Sequence, residues 1–184
     1  MISQLRPALA MLGAFTLVLG IAYPLAITGI AQVAMPWQAN GSLVERNGAV
    51  VGSSLIGQSF QRPEYLHPRP SATDPAYDAG ASAGSNLGPS SAVLLEQVRG
   101  RARALGPEAV PSGMVTSSAS GLDPHVTLDA ALRQADRIAA ARGIPVSDVH
   151  AAIAGATSRP AIGIPGAPLV NVLAANLALD AARR

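Results

Sequence analysis

The chain has 184 residues, 49% of them hydrophobic, 13% charged and 3% aromatic, which suits one membrane segment plus one small globular domain and is too apolar for a disordered chain. All 13 basic residues are Arg, so mechanisms that need a phosphate-loop, Schiff-base or general-base lysine are excluded. There is no Cys, which excludes disulfides and thiolate metal sites, and the net charge of +2 on scattered arginines argues against a nucleic-acid partner.

Between Arg6 and Glu45 no residue is charged, and Leu9 to Ile30 is almost wholly apolar. About 20 such residues span a bilayer. Gly13, Gly20, Gly29 and Pro24 would weaken a soluble helix but are tolerated in lipid. Pro24 has no N–H for the Gly20 carbonyl, which predicts a kink. Trp37 follows the span, where an indole favours the headgroup level. Arg6 lies before the span, while Glu45 and Arg46 cancel beyond it, so the positive-inside tendency predicts a cytoplasmic N-terminus and an exported C-terminal domain. A cleaved signal peptide is the alternative, with small residues at Gly20-Ile21-Ala22 and Gly29-Ile30-Ala31. The apolar stretch outruns a signal core of roughly 7–15 residues, which favours an anchor over residues 1–36. Small residues at Gly13, Gly20 and Ala31 suit close packing against another membrane helix.

Residues 37–184 read as one soluble extracytoplasmic α+β domain. Ser42–Val44 and Ala49–Val51 are β-prone runs around Asn47-Gly48, a strong hairpin signal. Gly52 to Pro89 is rich in Gly, Pro and Ser and has little periodicity. Its length and its Asn, Arg and Tyr side chains predict an ordered interaction surface rather than a linker. Ser91 caps a helix running to about Leu105, with Leu94, Val98, Ala102 and Leu105 inward and Arg99, Arg101 and Arg103 toward solvent. A second helix runs from Thr127 to Gly143, burying Leu128, Leu132, Ala135, Ile138 and Ala139. A third begins near Ser147, a short strand covers Ala161–Ile164, and a fourth helix after Pro168 carries Leu169, Leu173 and Leu177.

Few residues offer chemistry. Gly80-Ala81-Ser82-Ala83-Gly84 fits the G-x-S-x-G pattern, but neither flank reads as the strand and helix a nucleophile elbow needs. His67, His125 and His150 are widely separated; Asp123-Pro124-His125 reads as a turn ahead of the Thr127 helix rather than as metal ligands. The Ser117–Ser120 run with Gly121 offers backbone N–H groups to an anion, with an ordinary Ser-rich turn as the alternative. Asn171 and Asn176 interrupt an apolar helical pattern and need partners, either in neighbouring loops, the favoured reading, or on another subunit.

Several stretches occur together in order. They are Gln38-Ala39-Asn40-Gly41-Ser42-Leu43, Val51 to Gln58 with Phe60, Tyr65, Arg69-Pro70-Ser71, Tyr77, Ser82, and Gly84-Ser85-Asn86-Leu87-Gly88-Pro89. Ser118-Ala119-Ser120-Gly121-Leu122-Asp123-Pro124-His125 is the most distinctive, followed by Gln134, Arg137, Ala141-Arg142-Gly143, Val170-Asn171-Val172-Leu173 and Asn176 to Asp180. This ordered set resembles the C subunit of the Kdp potassium-transporting ATPase over nearly the whole chain. The resemblance implies a non-catalytic, single-span inner-membrane subunit whose partners are a potassium-translocating subunit and a P-type ATPase subunit. It also implies a role in assembly and activity, described for the family as that of a catalytic chaperone raising ATP affinity. Ser118, Ser120, Gly121 and Asp123 loosely resemble the signature motif of ABC ATPases and become candidate nucleotide contacts. Gln58, Arg69, Ser85, Asn86, Asn171 and Asn176 become candidate subunit contacts. No bound cofactor is expected. An exported domain meets no ATP, so the orientation read from charge favours contact with the potassium-translocating subunit. The remaining alternative is an anchored periplasmic binding module without a transport role.

Overall fold

The computed structural model describes residues 2–160 and 166–182. The backbone divides into two units, Met1–Val44 and Glu45–Arg184.

In the first unit, α1 (Leu5–Leu17), a π-helical turn (Val18–Ala22) and α2 (Tyr23–Ala34) run on without a break. Together they form a 30-residue helix, Leu5–Ala34, long and apolar enough to cross a membrane. At about 1.5 Å per residue it exceeds the roughly 30 Å hydrocarbon core. The π turn lies just before Pro24, and the Tyr23 N–H reaches back to the Val18 carbonyl. The wider turn is how the helix accommodates a residue with no N–H of its own. A short α3 (Pro36–Ala39) follows, and the Trp37 indole N–H donates to the Leu43 carbonyl at 2.8 Å.

The chain next forms a two-stranded hairpin, β1 (Leu43–Arg46) and β2 (Ala49–Ser53). Asn47 at φ 55° and Gly48 at φ 77° both take the left-handed region, as a two-residue type I′ turn requires. After a long stretch without helix or strand come α4 (Ala92–Ala104) and the single turn α5 (Ser112–Val115).

The core lies further on. Antiparallel strands β3 (His125–Thr127), β4 (Thr157–Ser158) and β5 (Leu169–Asn171) form a sheet in the order β3-β5-β4. Val170 stands opposite Val126 on one side and Thr157 on the other. Against the sheet pack α6 (Leu128–Leu132), α7 (Ala135–Arg142), α8 (Val146–Gly155) and α9 (Val172–Ala181). Ile138, Val149, Ile153, Val170, Leu179 and several alanines are buried there, and Leu66 from the long tract fills the same core. Small side chains let the helices approach closely where aromatic ones would not fit.

The structure corrects the sequence reading in several places. The helix expected from Thr127 to Gly143 is two helices, because Gln134 turns inward at the joint and is 4% exposed. The phase of the first piece then leaves Leu132, assigned to the buried stripe, 40% exposed. Leu169 starts no helix: it lies in β5, and α9 begins three residues later under an Asn171 cap. Arg101 does not face solvent but donates to the Val115 carbonyl at 2.8 Å, tying α4 to α5. The caps at Ser91 and Thr127 and the left-handed Gly143 stop stand as read. The strand expected over Ala161–Ile164 falls outside the described residues.

Candidate functional site

The 52–89 tract owes its order to polar side chains from the core helices rather than to regular structure. Asn176 of α9 accepts from the Leu66 N–H at 2.7 Å and donates to the Leu66 carbonyl at 3.0 Å. Gln134 repeats the device one residue on, accepting from the His67 N–H at 2.9 Å and donating to its carbonyl at 3.1 Å. Two buried carboxamides thus substitute for a neighbouring strand and satisfy backbone groups that burial would otherwise strand. Arginines extend the grip. Arg137 donates to the carbonyls of Pro63 and Tyr65 and to Gln134. Arg142, 1% exposed at its side chain, donates to the Glu64 and Leu179 carbonyls and to Asp180, and lies over the Tyr65 ring. Asp180 also takes Arg46 at 3.2 Å, which fastens β1 to α9.

Burial also shifts the proton affinities of this region. Desolvation, reinforced by the nearby Arg137 charge, lowers the His67 pKa below its ordinary value even though its ring bonds the Arg62 carbonyl. Desolvation also lowers the Arg137 pKa. Burial pushes the Tyr77 hydroxyl up to about 12 while it donates to the Arg69 carbonyl.

A second knot joins the tract to the turn at 117–125. Ser71 Oγ donates to the Gly121 carbonyl at 2.8 Å and accepts from the N–H groups of Thr73 and Tyr77. The Ser120 carbonyl takes both the Ala83 N–H and the Ser82 hydroxyl, each at 3.0 Å. The Gly57 N–H donates to the Leu122 carbonyl at 2.7 Å and the Ser118 N–H to Pro70 at 3.3 Å. Backbones meet here without room for side chains: a Cβ on Gly57, Gly84 or Gly121 would fall 2.6–2.7 Å from a carbonyl oxygen of the facing segment. Gly121 also needs its left-handed φ of 70°.

The candidate residues divide accordingly. Ser118 and Gly121 are buried within the knot, and Ser120 is exposed with its hydroxyl accepting from the Leu122 N–H. Asp123 pairs with Arg69 at 3.2 Å, caps the His125 N–H, and stands 3.8 Å from His125 Nδ1. Arg69 also reaches the Ser117 carbonyl, and its Nε is buried without a partner. Arg69, Ser118, Ser120 and Asp123 thus come together around an open hollow of about 490 Å³. Gln58 and Asn176 line another, of about 240 Å³, with Phe60, Tyr65 and Leu177. Asn171 caps α9 and donates to the Ser54 carbonyl, and Asn176 spends its amide internally, the within-domain partners the sequence favoured. Ser85 and Asn86 are exposed. Ser82 sits in irregular chain, with neither strand before nor helix after it.

Gln134, Arg137 and Arg142 are the residues whose part the sequence did not give. The available signal was polar side chains recurring on the face of an otherwise alanine-rich helix, which suits inward hydrogen bonding as well as solvent.

The model of the family described as "K+-transporting ATPase, c chain" matches residues 5–181. A potassium-transporting ATPase KdpC subunit of Caulobacter vibrioides is 53% identical, covering 98% of this chain and 94% of its own. The like-named protein of Methylorubrum extorquens is 51% identical over the whole of both chains, and that of Cereibacter sphaeroides is 53% identical over 99% of each.

Proposed function

Because the chain belongs to the K+-transporting ATPase c chain family, we propose that it is a non-catalytic accessory subunit of an ATP-driven potassium uptake complex. It is anchored in the inner membrane by Leu5–Ala34, with its domain exported. Its partners are the potassium-translocating and ATP-hydrolysing subunits, and it supports their assembly and activity.

The observation that carries this reading is the 52–89 tract. After Ser53 the segment has no helix or strand, yet Gln134, Asn176, Arg137 and Arg142 hold its backbone at residues 63–67, and it leaves Ser85 and Asn86 exposed. Holding an irregular loop in one conformation removes the ordering cost of binding, which is what a contact surface needs. We assign the tract and the 117–125 turn to contact with the potassium-translocating subunit. The turn acts as the clasp of that surface, since its carbonyls and Gly121 are taken up by the tract. A raised ATP affinity in the ATPase subunit then passes through the assembled complex rather than through nucleotide held by Ser118, Ser120, Gly121 and Asp123.

The test is co-purification of the tagged chain, in mild detergent, with the other subunits of the complex. Ser85→Glu with Asn86→Asp, which keeps a residue type suited to the left-handed φ of 52° at 86, should lower recovery of the potassium-translocating subunit while leaving the melting temperature in place. Undiminished recovery and transport with both charges present would refute the surface assignment. Failure of the unaltered chain to bring down the complex would refute the accessory role.

A further inference from the structure

One helix is only thinly covered by the described residues around it. α4 contains no buried residue along its 13 positions. Helices of this length are marginal in water unless an apolar face is covered. Its inward side, Leu94, Val98 and Ala102, is only half-buried, and its main neighbour is the single turn α5. Val93 and Leu95 stand 54% and 49% exposed.

The outer face has its own chemistry. Ala92, Leu95, Glu96, Arg99, Gly100 and Arg103 share one side of the helix and line an open hollow of about 500 Å³. Neither the Arg99 nor the Arg103 guanidinium finds an ion-pair or hydrogen-bond partner among the described residues, while Glu96 is the helix's one acid. Gly100 sits mid-helix, where glycine costs about 1 kcal/mol against alanine. Among the described residues nothing requires that glycine, because a Cβ there would meet no atom of another part of the chain within 4 Å. A glycine with empty space before it makes sense where a body outside the chain approaches the helix backbone.

We propose that this face of α4 is a docking surface for an acidic, carboxylate-bearing segment of another subunit of the complex, with Arg99 and Arg103 straddling it over Gly100. The assignment rests on the accessory-subunit reading and adds a second surface to it. Charge complementarity decides the occupant: two unpaired guanidiniums four residues apart suit paired carboxylates, and such pairs strengthen as the interface excludes water. A lipid surface fits less well. The most continuous apolar stripe of α4 faces its own domain, and the outer hollow sets one leucine, Leu95, among Glu96, Arg99 and Arg103, where an interfacial helix would insert a row of aliphatic side chains.

The experiment compares co-purification of the complex with the unaltered full chain, with Arg99→Glu/Arg103→Glu, and with Gly100→Trp. The last fills the hollow at an exposed position and keeps every charge. Melting temperatures monitor folding, and binding to phosphatidylglycerol vesicles and the oligomeric state of the purified chain are measured alongside. The expected result is a loss of recovery of about tenfold in both variants at unchanged melting temperature, with the charge effect fading at high salt. Equal recovery of both variants and the unaltered chain overturns the surface while leaving the accessory role intact. Loss of vesicle binding or of self-association in place of subunit recovery overturns the occupant. Failure of the unaltered chain itself to recover the complex overturns both readings.

Discussion

Asn176 shows how a single polar residue in an apolar helix decides a region's structure. It is 2% exposed and gives both halves of its amide to Leu66, whose side chain is wholly buried. Replacing it with Ala leaves a buried N–H and a buried carbonyl without partners, each worth about 1–3 kcal/mol. Asn176→Ala should therefore destabilise the domain by about 2–5 kcal/mol in urea unfolding, whereas Ser85→Ala, at an exposed position, should stay within about 0.5 kcal/mol. Equal effects of the two would mean that the carboxamide grip contributes nothing. The same residue explains why polar interruptions are hard to interpret from sequence: Asn176 and a surface Asn look alike until the segment at 66 is known to lie beside it.

Elements with local causes were legible, and those with distant causes were not. The Asn47-Gly48 hairpin, the Ser91 and Thr127 caps and the Gly143 stop each follow from the backbone preference of one or two residues. The break between α6 and α7 depends on Gln134 reaching His67, sixty-seven residues earlier, so periodicity within the helix carried no sign of it. The β3-β5-β4 sheet was missed for the same reason: its strands have two or three residues and acquire meaning only by pairing. In the candidate site, the distinctive run at 118–125 was visible, but its use as a clasp depends on backbone approaches no spacing reveals. Gly121→Ala tests that clasp. The change meets Ala83 and Thr73 at 2.7 Å and a left-handed φ, together worth about 2–4 kcal/mol. Gly88→Ala, with nothing within 4 Å and no positive φ, should be near neutral. A Gly121→Ala protein as stable as the parent in thermal melts would show that the tract and the turn do not depend on this contact.

At the scale of the whole molecule, sidedness decides which chemistry the domain can meet. Three residues set the charge balance across the span: Arg6 before it, and Glu45 cancelling Arg46 after it. Arg46 is moreover engaged with Asp180, so the stretch after the span presents little free positive charge to hold it on the cytoplasmic side. An exported domain encounters potassium and the outer face of its partners, and it is separated from ATP by the bilayer. The absence of cysteine makes this directly measurable, because any single introduced thiol is the only one in the chain. Gly88→Cys sits in the exposed tract, and Gln4→Cys precedes the span. In spheroplasts, a membrane-impermeant maleimide should label the cysteine at 88 and leave the one at 4 unlabelled until the membrane is opened. The reverse pattern would put the 118–123 turn on the side where nucleotide is present, and direct contact with ATP would then replace the potassium-translocating subunit as the reading to pursue.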